Sequence, residues 1–173
     1  MIEIEVKIPV PNIKDIRNKL LDIGAVLEQE RSFEKNILYD YPSAQLRGKK
    51  QAVRLRTIGK KHFLTFKDTP KKSRKFKIRE EFETEIKNIT HMKKILKSLG
   101  LQSVFTYKKF RTRFRIKKLV ICLDETEAGN FLELEGKQSD IVHFSKSLGF
   151  SKKEFIKNDY IQLILENIDR KKL

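Results

Sequence analysis

Ile2-Glu3-Ile4-Glu5-Val6-Lys7-Ile8 alternates aliphatic and charged side chains without a break. Period-two alternation marks a strand with one apolar face and one polar face. Here the polar face carries two acids and a base and no neutral residue. Taken alone, such a strand fits the solvated edge of an antiparallel sheet. The other reading points Glu3, Glu5 and Lys7 into a polar cavity that needs fixed charge. The remaining strands decide between the two.

Ordered charge recurs in most of them. Arg54 and Arg56 share a face opposite Val53 and Leu55. Arg79, Glu81, Glu83 and Glu85 share another, against Ile78, Phe82 and Ile86. Lys109, Arg111 and Arg113 line a third, with Phe110 and Phe114 opposite. Glu133 and Glu135 flank Leu134, and Asp124 follows Ile121 and Leu123 on its own strand.

Helices alternate with these strands. Asn12 is placed to cap a helix carrying Ile13, Ile16, Leu20 and Ile23, which closes at Gly24. Met92 to Leu99 ends at Gly100 and Ile141 to Leu148 at Gly149 in the same way, and a fourth helix is predicted over about 157 to 168. Strands are predicted through 26 to 41, where Pro42 stops the ladder, then over 52 to 56, 63 to 67, 78 to 86, 103 to 116, 119 to 125 and 131 to 137. A polar turn is expected at Arg47-Gly48-Lys49-Lys50. About eight hairpin-connected strands and four amphipathic helices suit an α+β fold: a closed eight-stranded antiparallel β-barrel with the helices packed outside. The helices then cover the apolar faces, and the charged rows line the lumen as a tunnel. Burying that much charge is costly unless it is paired and solvated, so a ligand of matching charge is expected.

Composition agrees. The 173 residues fit one domain over 1–173, and 39% of them are hydrophobic, enough for a sizeable core. The net charge of +16, from 39 Lys and Arg against 23 Asp and Glu, attracts polyanions. A lone Cys122 excludes an internal disulfide, and no run of apolar residues reaches membrane-spanning length. The start of the chain lacks a signal-peptide pattern, so a cytoplasmic protein with no membrane partner is expected. His62, His91 and His143 stand apart in the sequence and read as solvated surface residues, which leaves no zinc cluster. Converging Arg and Lys rows suit several phosphates, because Arg offers a bidentate fork to phosphate oxygens. Carboxylates in the same space make sense as ligands for a hard divalent cation, Mg2+ or Mn2+. No glycine-rich phosphate loop is present.

These stretches resemble the CYTH domain, the triphosphate tunnel metalloenzyme superfamily of class IV adenylyl cyclases, thiamine triphosphatases and inorganic tripolyphosphatases. Glu3-Ile4-Glu5-Val6-Lys7 matches its ExExK motif. Tyr39-Asp40-Tyr41-Pro42, Val53-Arg54-Leu55-Arg56, Leu64-Thr65-Phe66-Lys67, Arg79 through Glu85, Lys109-Phe110-Arg111, Cys122 through Glu125, Gly129 through Glu135 and Lys157 through Tyr160 follow in the family's order. Asn36 departs from it, standing where an acid is frequent.

The resemblance implies that Lys7, Arg54, Arg56, Lys67, Arg79, Lys109, Arg111, Arg113 and Lys157 bind substrate. It implies that Glu3, Glu5, Glu81, Glu83, Asp124, Glu133 and Glu135 are metal-site candidates, and that Glu3, Glu5, Lys7 and Lys67 are catalytic. The expected activity is metal-dependent cleavage within ATP, tripolyphosphate or thiamine triphosphate. Triphosphate hydrolysis is favoured over cyclisation of ATP, and a non-catalytic polyphosphate, nucleotide or RNA binder is the third reading. The ordered carboxylates weigh against a nucleic-acid partner, and the basic loop over 68–77 reads as a solvated hairpin loop. A monomer or a homodimer fits the sequence equally.

Overall fold

The computed structural model describes residues 2–170. The expected domain of 1–173 runs past both ends of that range; residues 1 and 171–173 lie outside the described residues. The elements are β1 (Ile2–Pro9), α1 (Ile13–Asp22), β2 (Val26–Asp40), α2 (Gln45–Gly48), β3 (Ala52–Ile58), β4 (Lys61–Lys67), β5 (Lys77–Ile86), α3 (Ile89–Ser98), β6 (Gln102–Ile116), β7 (Leu119–Thr126), β8 (Gly129–Glu135), α4 (Gln138–Ser147) and α5 (Tyr160–Arg170). The strands close into an antiparallel barrel in the order β1-β5-β4-β3-β2-β6-β7-β8. This is the architecture that the alternating strands predict.

Backbone packing divides the described residues into two compact units, one of residues 3–32, 72–78 and 109–170, the other mainly of Phe33–Lys71 and Arg79–Lys108. In the first of these, β1, β7 and β8 turn Val6, Ile8, Ile121, Leu123, Leu132 and Leu134 into one core with Ile16 and Leu20 of α1 and Ile141, Phe144 and Leu148 of α4. Full burial of each such side chain contributes about 1.5–3 kcal/mol before entropy is set against it. The amphipathic helices exist to make this contact. Asn12 caps α1 by accepting from the Lys14 amide at 2.9 Å. Gly24 ends it with φ +77°, which a residue without Cβ adopts at no steric cost, and Gly149 repeats the device after α4.

The other unit has its own core. Tyr39, Leu55, Leu96 and Leu101 are buried, with Ile37, Val53, Leu64, Ile86 and Met92 packed against them. α3 covers this face, its first turn capped by Asn88 accepting from the His91 amide at 2.9 Å.

Three details differ from the sequence reading. The polar turn around Arg47 contains a one-turn helix, α2, because the buried Asp40 carboxylate accepts from the amides of Tyr41, Leu46 and Arg47 at 2.7–2.9 Å. α5 starts at Tyr160 rather than near 157, since Asp159 accepts from the Gln162 amide at 2.9 Å and sets the first turn. His62 is half-buried and shares a 3.0 Å hydrogen bond with Thr57, whereas His91 and His143 are exposed as expected.

Candidate active site

Register decides which charged residues meet. In the β1, β6, β7 and β8 part of the barrel, Lys7 lies opposite Glu133, Glu5 opposite Glu135, and Arg111 opposite Asp124. Side chains directly opposite in an antiparallel ladder project to the same face. That face is the one the helices leave uncovered, because the intervening residues fill the core.

Asp124 is the centre of this cluster and is wholly buried. Arg111 grips it with a two-pronged fork, Nε to Oδ1 at 2.6 Å and Nη2 to Oδ2 at 2.5 Å, and Lys109 donates to Oδ2 at 3.0 Å. Burial alone would raise this carboxyl; the attraction of Arg111 and Lys109 outweighs it and holds Asp124 below its ordinary range. Arg111 Nη2 also donates to Glu133 at 2.8 Å. Lys7 bridges two acids, with Nζ 3.2 Å from both Glu5 and Glu133, and Lys77 stands 3.8 Å from Glu5. Burial opposes the Lys7 charge, yet Glu133 and Glu5 keep it above the ordinary lysine range. Glu5 is held low against its own burial by Lys7, while Glu133 and Glu3 push it the other way.

Tyr160 ties the start of α5 to this cluster. Its hydroxyl donates to Asp124 in a short hydrogen bond and to Glu133 Oε2 at 3.2 Å. Its ring lies 5.0 Å from Lys7 Nζ and 4.8 Å from Lys109 Nζ, and meets Phe131 edge-on. Burial, then the two acids it faces, push the phenol well above its ordinary value, so it stays protonated and donating. A two-way backbone pairing of Lys7 with Ile156 delivers the chain to that point. The sequence reading kept Tyr160 as a helix residue and missed this role. Two signals were available: a tyrosine among the apolar positions of an amphipathic helix, and its place at the end of the Lys157 through Tyr160 stretch that follows the family's order.

Two expected substrate-binding residues engage partners outside these clusters. Arg113 is 41% exposed and pairs with Glu28 at 2.9 Å, alongside Arg115. Lys157 is exposed and donates to the Ser73 carbonyl at 2.7 Å, in the basic loop. Cys122 shares the charged face, but burial pushes its thiol up to about 12, which removes it as a nucleophile.

The other unit carries a second cluster on β2 to β5. Arg56 Nη2 donates to Glu83 at 2.7 Å, with Nη1 3.8 Å from the buried Glu34. Arg54 reaches Thr65, Glu83 and Glu81 at 3.3, 3.4 and 3.7 Å. Thr65 donates to Glu83 at 2.6 Å, and Lys67 pairs closely with Glu81. Arg79 is buried two residues before Glu81, hence on the same face. Burial would raise Glu83, but Arg56, the Thr65 hydroxyl and Arg54 hold it low. Arg54 is held above its ordinary value despite burial by Tyr107, Glu81, Glu83 and Glu34. Glu34 and Thr65 were not expected here from the sequence, although Glu28, Glu30 and Glu34 follow period two along β2 and Thr65 stands two residues before Lys67 in β4.

Among the described residues, no group of three or more His, Cys, Asp or Glu side chains is assembled to hold a metal ion. The donor chemistry of Glu3, Glu5, Glu133 and Glu135 still fits a hard cation. All are carboxylates, and Glu5 is crowded by the charges of Glu133 and Glu3. A cation already sits among them, in the form of the Lys7 ammonium.

No curated protein sequence matches this chain. Solved structures do. A candidate adenylate cyclase from Vibrio parahaemolyticus superposes with a TM-score of 0.82 at 20% identity, over 95% of this chain and 98% of that one. A Pyrococcus horikoshii protein gives 0.79 at 25% identity, over 94% and 99%. A Hippeastrum protein, described as a candidate adenylyl cyclase with dominant triphosphatase activity, gives 0.68 at 20% identity, over 95% of each chain. The CYTH domain profile matches residues 1–160, nearly the whole sequence, and the chain belongs to the CYTH family.

Proposed function

We propose that this protein is a divalent-metal-dependent enzyme that cleaves within the triphosphate chain of a small molecule, releasing orthophosphate by hydrolysis. One observation carries the reading: arginines and lysines buried beside ordered carboxylates. Arg111, Lys109 and Lys7 crowd Asp124, Glu133 and Glu5, and Arg54 and Arg56 crowd Glu83. Structural stability does not call for such arrays, since apolar residues of similar volume serve as well or better. A polyanion that competes for the guanidinium forks does call for them.

Each chain residue has a part in that chemistry. Arg54, Arg56, Lys67, Arg79, Lys109 and Arg111 bind phosphate oxygens and offset charge that develops on the leaving group. Asp124 and Tyr160 keep Arg111 and Lys109 aimed. Glu3, Glu5, Glu133 and Glu135 would hold Mg2+ or Mn2+, which when bound neutralises phosphate charge and makes water a better nucleophile. Lys7 favours the ionised form of Glu5 and pairs with Glu133. With Cys122 protonated, attack by water needs no covalent enzyme intermediate. The triphosphatase activity ascribed to the Hippeastrum protein supports hydrolysis; the adenylate cyclase description of the Vibrio protein supports cyclisation of ATP as the second reading.

The test is a product assay with ATP, tripolyphosphate and thiamine triphosphate, each with Mg2+, Mn2+ or a chelator. Orthophosphate is expected from at least one substrate, and only with metal. Cyclic AMP with pyrophosphate would establish the second reading, and no turnover would sink both. Glu133→Gln with Glu135→Gln should abolish activity; turnover that survived with its metal dependence intact would refute the ligand assignment.

A further inference from the structure

Asn36 stands out on the charged face of β2. It is completely buried, and neither its amide nitrogen nor its amide oxygen has a hydrogen-bond partner. Buried side-chain amides are almost always satisfied, and one that is not needs an explanation. Bulk solvent does not reach it, because no part of the residue is exposed. Asn36 lies opposite Arg56 in the β2–β3 ladder, and Leu38 lies opposite Arg54. Phe63 lies opposite Arg56 on the other side, in the β3–β4 ladder, with the Arg56 guanidinium 5.2 Å from its ring. The face that gathers Arg54 and Arg56 therefore also holds a neutral patch: an amide, an aliphatic side chain and an aromatic ring.

Phosphate cannot satisfy this amide. An ionised phosphate offers only acceptors, so it can take the Nδ2 hydrogens but gives nothing to Oδ1. A group with an acceptor beside a donor satisfies both at once. An amino-substituted nitrogen heterocycle presents that pair, as a ring nitrogen next to an exocyclic amine, and asparagine pairs bidentately with such an edge. Its flat apolar faces also suit Phe63 and Leu38. Adenine and the aminopyrimidine of thiamine share the pattern.

We propose that Asn36, with Phe63 and Leu38, recognises an amino-substituted nitrogen heterocycle that caps the triphosphate, so that the protein selects organic over inorganic triphosphates. The proposal rests on the triphosphate reading above. Arg56 is held by Glu83 and Glu34. A polyanion that draws it off them opens the amide to the cap, which couples phosphate binding to recognition of the organic group.

The experiment compares kcat/KM for ATP, thiamine triphosphate and tripolyphosphate in the wild type, Asn36→Ala and Asn36→Asp. The wild type should favour one of the two organic substrates over tripolyphosphate, and which one identifies the cap. Asn36→Ala should lower turnover of that substrate at least tenfold while tripolyphosphate changes less than about twofold, a selectivity that misfolding would not produce. Asn36→Asp keeps an acceptor but loses the donor, and should lower it similarly. A wild-type preference for tripolyphosphate, or an equal loss on all substrates, overturns the inference and leaves the triphosphate reading standing. Absence of any turnover overturns both. If the variants do not fold, the Asn36 side-chain amide resonances of the wild type replace them. They should move with the favoured organic triphosphate, and an equal shift with tripolyphosphate overturns the inference.

Discussion

Asp124→Asn changes one charge at the most buried point of the cluster on β1, β6, β7 and β8 and leaves side-chain volume the same. Four hydrogen bonds converge on this carboxylate, two from Arg111 and one each from Lys109 and Tyr160. The amide keeps one acceptor oxygen and turns an NH2 group toward cations that already carry N–H donors. Lys109 is 3% exposed and Arg111 is mostly covered, so their charges lose compensation where water cannot replace it. Removing one member of a buried ion pair costs about 3–5 kcal/mol. Arg111 retains Glu133 at 2.8 Å, which places the expected loss near the lower figure. In a chain of this length each kcal/mol moves the midpoint by about 2–4 °C, so Tm should fall by about 6–12 °C. Thermal unfolding followed by circular dichroism measures it, with Glu125→Gln as the control, a neighbour whose partner Arg31 is half-exposed. A fall no larger than the control's would show that the arginine fork and the lysine do not depend on Asp124, and the reasoning would be refuted.

Two further outcomes follow from the same geometry. Glu5, Asp124 and Glu83 all have folded-state values below their ordinary 4.5, 3.8 and 4.5, so the unfolded chain binds more protons at acid pH. Their contribution is present above those ordinary values and drains as pH falls through the depressed ones; urea unfolding between pH 7 and 3 should show stability flat to about 5 and then dropping, and a flat profile to pH 3 would contradict the depressed values. Arg111→Lys should lower kcat/KM by about 10–100-fold, because an ammonium cannot reproduce the two-pronged hold on Asp124, whereas Arg113→Lys, whose partner Glu28 lies at a solvated edge, should stay within about threefold. Equal effects of the two substitutions would show that the structure's separation of these arginines has no bearing on activity.

The strands were legible because their information is local. Alternation in Ile2–Pro9 or Phe131 to Glu135 assigns each side chain to a face whatever the partner strand, and Asn12 and Gly24 punctuate α1 within a few residues. Short elements were harder. α2 depends on Asp40 reaching six and seven residues ahead to cap amides, and nothing in Gln45–Gly48 itself asks for a helix.

The site divides along the same line. Sequence determined that Glu3, Glu5 and Lys7 share a face with one another, that Arg54 shares one with Arg56, and Lys109 with Arg111, because residues two apart on a strand must. Tertiary structure decided who meets whom. Arg113 continues the Lys109–Arg111 row in sequence, yet it turns to Glu28, 85 residues away, while Arg111 closes on Asp124. Tyr160 reaches Asp124 across 36 residues, and its hydroxyl is invisible to a periodicity that counts it as apolar. Asn36 looked like a lost acid and is a buried amide without a partner. Period fixes the face a side chain is on; only ladder register and the docking of α5 bring particular charges within hydrogen-bond reach, and those depend on contacts that no local stretch of sequence encodes.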